Sequence, residues 1–460
     1  MLQTEIAVLR FGLGARPGEL AAAAADPYAW LLAQTKGAQS RTGELPLAPS
    51  DEIFAAVVAA REQRRELKRE SPEDAKAGGA LLREAYQPHY RAQVLARAQS
   101  AVMTQRPFAE RLVHFWTNHF AVSADKGAIF GLAGTLENEA IRPRINGRFV
   151  DLLTAVERHP AMIAFLDNQL SVGADSPAAR FTASNGKRRL GINENLAREI
   201  LELHTLGVAG GYTQADVTSF AEILTGWSIG GGRGRFSGGE SGRFDFRENL
   251  HEPGPKTFLG KLYRQEGQAQ GEAVLEDLAR HPSTARFIAT KLVRHFVADD
   301  PPAAAVERLA RAYSRSDGDL SHVYAVLIDS PEAWDPALRK FKTPEDFVFS
   351  TLRALDLNPQ RPEEVIRSFE LLGQRQYTPG SPAGWPDTAQ NWDGSDALMH
   401  RVLFASRAAE RYGDSASPLA VASEALGGFA RPETLSALKR AASAGQALAL
   451  LLMSPEFQRR

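Results

Sequence analysis

The chain has 460 residues, 43% of them apolar and 24% charged, with 54 basic against 55 acidic side chains and no cysteine. This is an ordinary globular composition, with length for about three domain equivalents of ~150 residues and a substantial core. Lack of cysteine excludes disulfides, thiolate catalysis, Cys–zinc sites and iron–sulfur clusters, and the even charge balance gives no basis for nucleic-acid binding.

The opening MLQTEIAVLRFGLGARPGEL has no charged n-region, apolar h-region or small-residue cleavage site, and no apolar run approaches the ~20 residues of a membrane span. The expectation is a soluble, cytoplasmic protein without a transmembrane segment. Within it, RFGLGARPGE carries Gly12, Gly14 and Gly18. A dinucleotide fingerprint needs a strand before and a second strand ending in an acid; the second is missing, so the segment reads as a helix start. Ala-rich amphipathic helices are then predicted at 18–36, 51–70, 78–106, 107–121, 149–170, 192–207 and 213–228. Further helices are predicted at 270–280, 282–298, 302–315, 319–329, 344–355, 362–373, 396–412 and 432–457. Start signals include Asp51, Thr213 ahead of Asp216, and Pro282. The basic run REQRRELKR (61–69) alternates with Glu at helical spacing and reads as a solvated face. Three irregular stretches interrupt the helices: 171–191, small and polar; 228–243, glycine-rich; and 374–395, with Trp385 and Trp392. Loops of this length tend to be functional or mobile. The predicted fold is mainly α, a multi-helix bundle-like body with a glycine-rich loop or short hairpin insertion around 228–262. Residues 1–105 form either an N-terminal helical subdomain before a main body at 106–460, or part of a single domain 1–460.

Four segments hold the chemistry. In RLVHFWTNHF (111–120), Arg111, His114 and Asn118 share one helical face, while His119 lies on the apolar stripe with Leu112, Phe115 and Trp116. In the 191–217 segment, Asn195, Arg198, Glu199 and Glu202 share a polar face opposite Leu196, Ile200 and Leu203. His204 falls on the far flank of the apolar face, about 160° from Glu202 at ~100° per residue, so the two cannot chelate one ion together. Gly207 suits the helix end. The pair Glu199 and Glu202 suits acid–base work or a hard cation, against the plainer reading of a solvated face with His204 as a C-terminal stabiliser. In HEPGPKTFLG (251–260), a rigid turn presents His251 and Lys256. In TARFIATKLVRHF (284–296), His295 stacks over Lys291 and Ile288. Inward imidazoles of this kind shuttle protons or bind a transition metal, against the plainer reading of a satisfied core histidine.

Together, RFGLGARPGE, RLVHFWTNHF, NENLAREILELHTLGVAGGYTQADVTSFAEILTGW, HEPGPKTFLG, HPSTARFIATKLVRHFV and SPAGWPD resemble the bacterial family known as domain of unknown function 1800, from about residue 7 to about residue 457. The resemblance marks His114, Trp116, Asn118, His119, Asn193, Asn195, Arg198, Glu199, Glu202 and His204 as characteristic positions. It also marks Thr205, Gly207, Tyr212, Gly226, Trp227, His251, Lys256 and His295, and gives none of them a role. It implies an envelope or secretion setting, hence periplasm or cell envelope as the alternative compartment, with a protein partner from an adjacent, uncharacterised sulfatase-like family.

The functional expectation is an enzyme, hydrolytic or metal-assisted, acting on a polymer or peptide in a cleft between helices 107–121, 192–207 and 282–298, closed by the 251–256 loop. Glu199, Glu202, His204, Arg198 and His119 are the expected catalytic residues. His114, Asn118, Asn193, Asn195, His251, Lys256 and Lys291 are expected to bind substrate. A divalent or transition metal would fall to His119, His204 and His295. The alternative is a non-catalytic binding or assembly protein acting with an export or envelope partner, its polar residues forming a buried structural network.

Overall fold

Helix-forming runs and proline starts dictate the architecture of the computed structural model, which describes residues 2–37, 46–70, 75–127, 129–184, 191–231 and 238–460. Among them are twenty-two α-helical segments and two two-stranded antiparallel sheets. The strands fall where the glycine-rich insertion is expected: Trp227–Ile229 pairs with Phe244–Phe246, and Lys256–Phe258 with Lys261–Tyr263. The centres of two irregular stretches, 185–190 and 232–237, lie outside the described residues. No helix among the described residues is long and apolar enough to cross a membrane.

Several long predicted helices are broken, each by local chemistry. The expected 149–170 helix is Phe149–Glu157, Pro160–Phe165 and a turn at Asn168–Leu170. Pro160 holds His159 extended (φ −69°, ψ 136°) and restarts the helix at its first position. Pro27 after Asp26 splits 18–36 in the same way, and Ser443 caps a new helix inside 432–457. Helices at Ala133–Thr135 and Pro177–Ser184 arise in stretches predicted irregular or left unassigned.

The largest cluster of buried apolar side chains runs from Ile6 through Phe457, so the first 105 residues share their core with the rest. Its spine is Pro107–His119. Pro107 begins this helix at N1, and burial on nearly every side explains why no simple apolar stripe describes it. Trp116 Nε1 donates to the Tyr324 hydroxyl at 2.6 Å, which donates on to the Ile145 carbonyl. Two elements flank the spine: Pro282–Phe296, and Pro344–Ala354, which starts with a Thr343–Asp346 capping box. Three wide π-turns, at Ala7–Phe11, Leu136–Ile141 and Ile200–His204, lie beside this centre.

Candidate functional site

A cavity of about 330 Å³ opens between Pro107–His119, the last turns of Pro282–Phe296, the start of Pro344–Ala354 and the loop 374–388. Arg111, His114, Asn118 and His119 line it from the first helix, and Lys291, Arg294 and His295 from the second. The shared face predicted for Arg111, His114 and Asn118 is thus the cavity wall.

Its central feature is an imidazole–carboxylate pair. His295 Nδ1 lies 2.7 Å from Asp387 Oδ2, so the ring donates Nδ1–H and leaves a lone pair on Nε2. Nε2 is buried and has no hydrogen-bond partner among the described residues. Burial pushes the imidazole down to about 4 against the pull of Asp387, so it is neutral at physiological pH. Burial alone would raise Asp387, but His295 and Lys340 outweigh it and hold the carboxyl below the usual range. Lys340 Nζ donates to the Asp387 carbonyl and to Asp299 Oδ1, both at 2.5 Å, fixing the loop end. Beside the pair sits Lys291, lowered by burial to about 8, with Nζ 5.5 Å from the centre of the Phe287 ring.

The loop reaches His295 because the spine helix pins it. Asn118 donates to the Trp385 carbonyl at 2.9 Å and accepts from the Trp385 N–H at 2.7 Å. Gly384 has φ +82°, and a Cβ there would run into the Asn118 backbone. SPAGWPD therefore works as a latch: glycine for close approach, Trp385 for the pair of hydrogen bonds to Asn118, Asp387 for His295.

Behind the cavity two ionic networks hold the walls. Arg142 forks onto Glu110 at 2.5 and 2.8 Å and reaches Glu137 at 3.1 Å, while Arg97 joins Glu137 to Glu345 at 2.8 and 3.0 Å. His114 sits inside that ring, 3.5 Å from Glu110 and 3.8 Å from Glu345, and is buried. On the other side Asp346 takes Arg111 at 2.8 Å and Arg460 at 3.0 Å, and Arg460 donates to the His295 carbonyl at 2.9 Å.

No residue of 192–207 or 251–256 lines this cavity, contrary to the expected cleft. The π-turn at Ile200–His204 rotates the last turn of the segment so that Leu201 and His204 are buried and Leu203 is half-exposed. His204 Nδ1 meets Glu157 Oε1 at 2.8 Å, and its carbonyl accepts His119 Nε2–H at 3.1 Å. The His119 and His204 rings are 6.2 Å apart, and His119 Nδ1 and His204 Nε2 are buried without partners among the described residues. Burial, with Lys291 and His204 nearby, holds His119 well below the ordinary imidazole value. His295 is separated from His119 by Phe115, whose ring centre lies 5.3 Å from one and 6.4 Å from the other. Among the described residues no group of three or more His, Asp or Glu side chains stands where one metal ion could be shared.

The remaining motif residues lie outside the cavity. Asn193 donates to the Leu166 and Asp167 carbonyls and accepts from the Asn195 N–H. Arg198 bonds Glu194 at 2.8 Å and Gln214 at 3.0 Å. Glu199 and Glu202 are half-exposed, Glu199 being raised by burial and by Glu202 and Glu157 against His204 and Arg198. Gly207, at φ +80°, ends the segment as expected, its N–H on the Leu201 carbonyl at 3.1 Å. His251 Nδ1 faces the Thr225 carbonyl at 2.9 Å, and Lys256 Nζ caps the Pro253 carbonyl at 2.8 Å. Residues missed from sequence include Asp387, Asp346, Lys340, Arg460, Arg294 and Arg375. Asp387 and Arg375 lie in the flagged 374–395 stretch and Arg294 in the 281–297 motif, which were their only signals.

No curated protein and no solved structure matches the chain. The model of the family described as Protein of unknown function (DUF1800) matches residues 6–459, nearly the whole length, and the chain belongs to that family.

Proposed function

We propose that the protein is a hydrolytic enzyme acting by general acid–base chemistry in the 330 Å³ cavity, on an acyl bond of a peptide or polymer segment. The observation that carries the reading is His295, a residue of the cavity lining with Nδ1 2.7 Å from Asp387 and a buried Nε2 that has no hydrogen-bond partner among the described residues. Asp387 fixes the tautomer and stabilises the imidazolium formed when Nε2 takes a proton from an attacking water. Lys291, whose proton is exchangeable near neutrality, returns one to the leaving group. Arg294, on the same helix as Lys291 and without an ion pair among the described residues, favours a substrate with anionic or carbonyl oxygen groups, whereas Arg375, also on the lining, is already held by Asp125 at 2.8 and 3.0 Å. His119 stands behind as a neutral second imidazole.

The test is turnover of a panel of chromogenic esters, peptides and oligosaccharides by the purified full chain and by His295→Gln. The reading expects hydrolysis by the wild type, lost in His295→Gln at an unchanged melting temperature. No turnover by the wild type, or turnover that survives the substitution, overturns it.

A second reading, action with a protein partner, draws on one surface observation. Leu398, Met399, Val402 and Leu403 on the Ser395–Tyr412 helix are 38, 58, 43 and 42% exposed, an apolar face of the kind that partners cover. Loss of a co-purifying chain on Met399→Glu, with the fold intact, is its expected signature.

A further inference from the structure

A second concavity, of about 530 Å³, lies away from the acid–base cavity, where Pro344–Ala354, Pro362–Leu372 and Ser395–Tyr412 diverge. Its volume is that of a small-molecule site. Val348, Leu352, Leu355, Val365, Leu371 and Phe404 give it an apolar floor and walls. The hydroxyls on the floor are already used: Thr351 donates to the Phe347 carbonyl at 2.8 Å and Ser368 to the Glu364 carbonyl at 2.9 Å. The floor therefore demands no polar atom from an occupant.

The rim has the opposite character. Arg361, Arg367, Arg407 and Arg411 stand around it, with Glu364 the one acidic residue of the lining. Glu364 is held by Arg411 at 3.0 Å and lies 3.8 Å from Arg361. Arg367 and Arg407 are exposed and have no ion pair among the described residues. Two free guanidinium groups above an apolar trough complement a molecule with a hydrocarbon body and one anionic end.

We propose that this groove binds a single acyl chain with an anionic head, taken as a free monomer: the tail on Leu355, Leu371 and Phe404, the head between Arg367 and Arg407. The site is separate from the acid–base cavity and does not depend on its chemistry.

The experiment is calorimetric titration of the full chain with dodecanoate below its micelle concentration. Butanoate supplies the head without the tail, dodecyltrimethylammonium the tail with the wrong charge, and phosphatidylglycerol vesicles the membrane-borne alternative. We expect one dodecanoate per chain, with butanoate and the cationic amphiphile at least about tenfold weaker, and no co-sedimentation with vesicles. Arg367→Glu/Arg407→Glu, both exposed, should weaken dodecanoate by about tenfold or more at an unchanged melting temperature. Leu355→Asp should weaken it by a similar factor through the tail. Equal binding of the cationic amphiphile, binding indifferent to the double substitution, or binding to vesicles without binding to the monomer would each overturn the proposal.

Discussion

Two of the histidine–carboxylate pairs among the described residues have nearly equal geometry in unlike surroundings. His295 meets Asp387 at 2.7 Å, their side chains 14% and 22% exposed at the edge of a cavity. His204 meets Glu157 at 2.8 Å, at 1% and 0%, sealed in the core. In each the carboxylate takes Nδ1 and leaves Nε2 without a partner. The difference lies in the surroundings: His295 is a lining residue of the cavity, as is Lys291, whereas His204 lies in the sealed interior of the protein. A hydrogen bond that tunes an imidazole thus becomes a catalytic feature only where the other nitrogen faces a reactant; elsewhere it satisfies a buried group.

That contrast is broken or upheld most forcefully by matched substitutions. Asp387→Asn should cut turnover by about 10³- to 10⁴-fold through the wrong tautomer of His295, with some loss of stability as well, because His295 and Lys340 favour the ionised carboxylate in the fold. Glu157→Gln should act on stability alone, lowering it by about 1–3 kcal/mol because it weakens a sealed hydrogen bond, while the folded fraction keeps its turnover. Kinetics and chemical denaturation of both variants check this; the same pattern in both would erase the distinction.

The next effect concerns protonation at the open pair. His295 must be neutral to act as base, so turnover should rise as pH passes about 4. Lys291 must be charged to act as acid, so turnover should fall as pH passes about 8. The kcat/KM profile is therefore expected to be a bell between those limits. Lys291→Met should remove the alkaline limb and lower the rate by about 10²-fold. An alkaline limb that persists in Lys291→Met would assign it to another group.

Much of the fold was legible because helices announce themselves locally. Thr213 with Asp216 formed the predicted cap, Pro282 began its helix, and Gly207 ended its segment at positive φ. The cavity was legible only in halves. Helical spacing placed Arg111, His114 and Asn118 on one face and put Lys291 beside His295, since each pair or trio lies within two turns. Asp387 lies ninety-two positions from His295, and periodicity carries no information across that distance. The same limit misassigned the 192–207 motif: an ideal wheel cannot foresee a π-turn, and the turn at Ile200–His204 points His204 at Glu157 instead of at a shared site. Of the dense polar sequence there, Asn193 ties down the Leu166 and Asp167 carbonyls, while Glu199 and Glu202 stay half-exposed.

The remaining predictions compare the latch that completes the open pair with the motif that resembles a site. Gly384→Ala places a Cβ against the Asn118 backbone at a φ of +82°, a strain of about 1–3 kcal/mol. The loop can relieve it only by lifting away from Asn118, which carries Asp387 away from His295. The expected result is a modest stability loss together with a disproportionate loss of turnover, read by comparing denaturation midpoints with kcat. Arg198→Ala marks the small end of the scale. Its side chain is 39% exposed and, among the described residues, bonds Glu194 and Gln214, both reachable by water. Removing it should change stability by about 0.5 kcal/mol or less and leave turnover intact. A large kinetic effect at Arg198 would mean that the outer face of the 192–207 segment meets the substrate after all, and that the open pair is one part of a wider site.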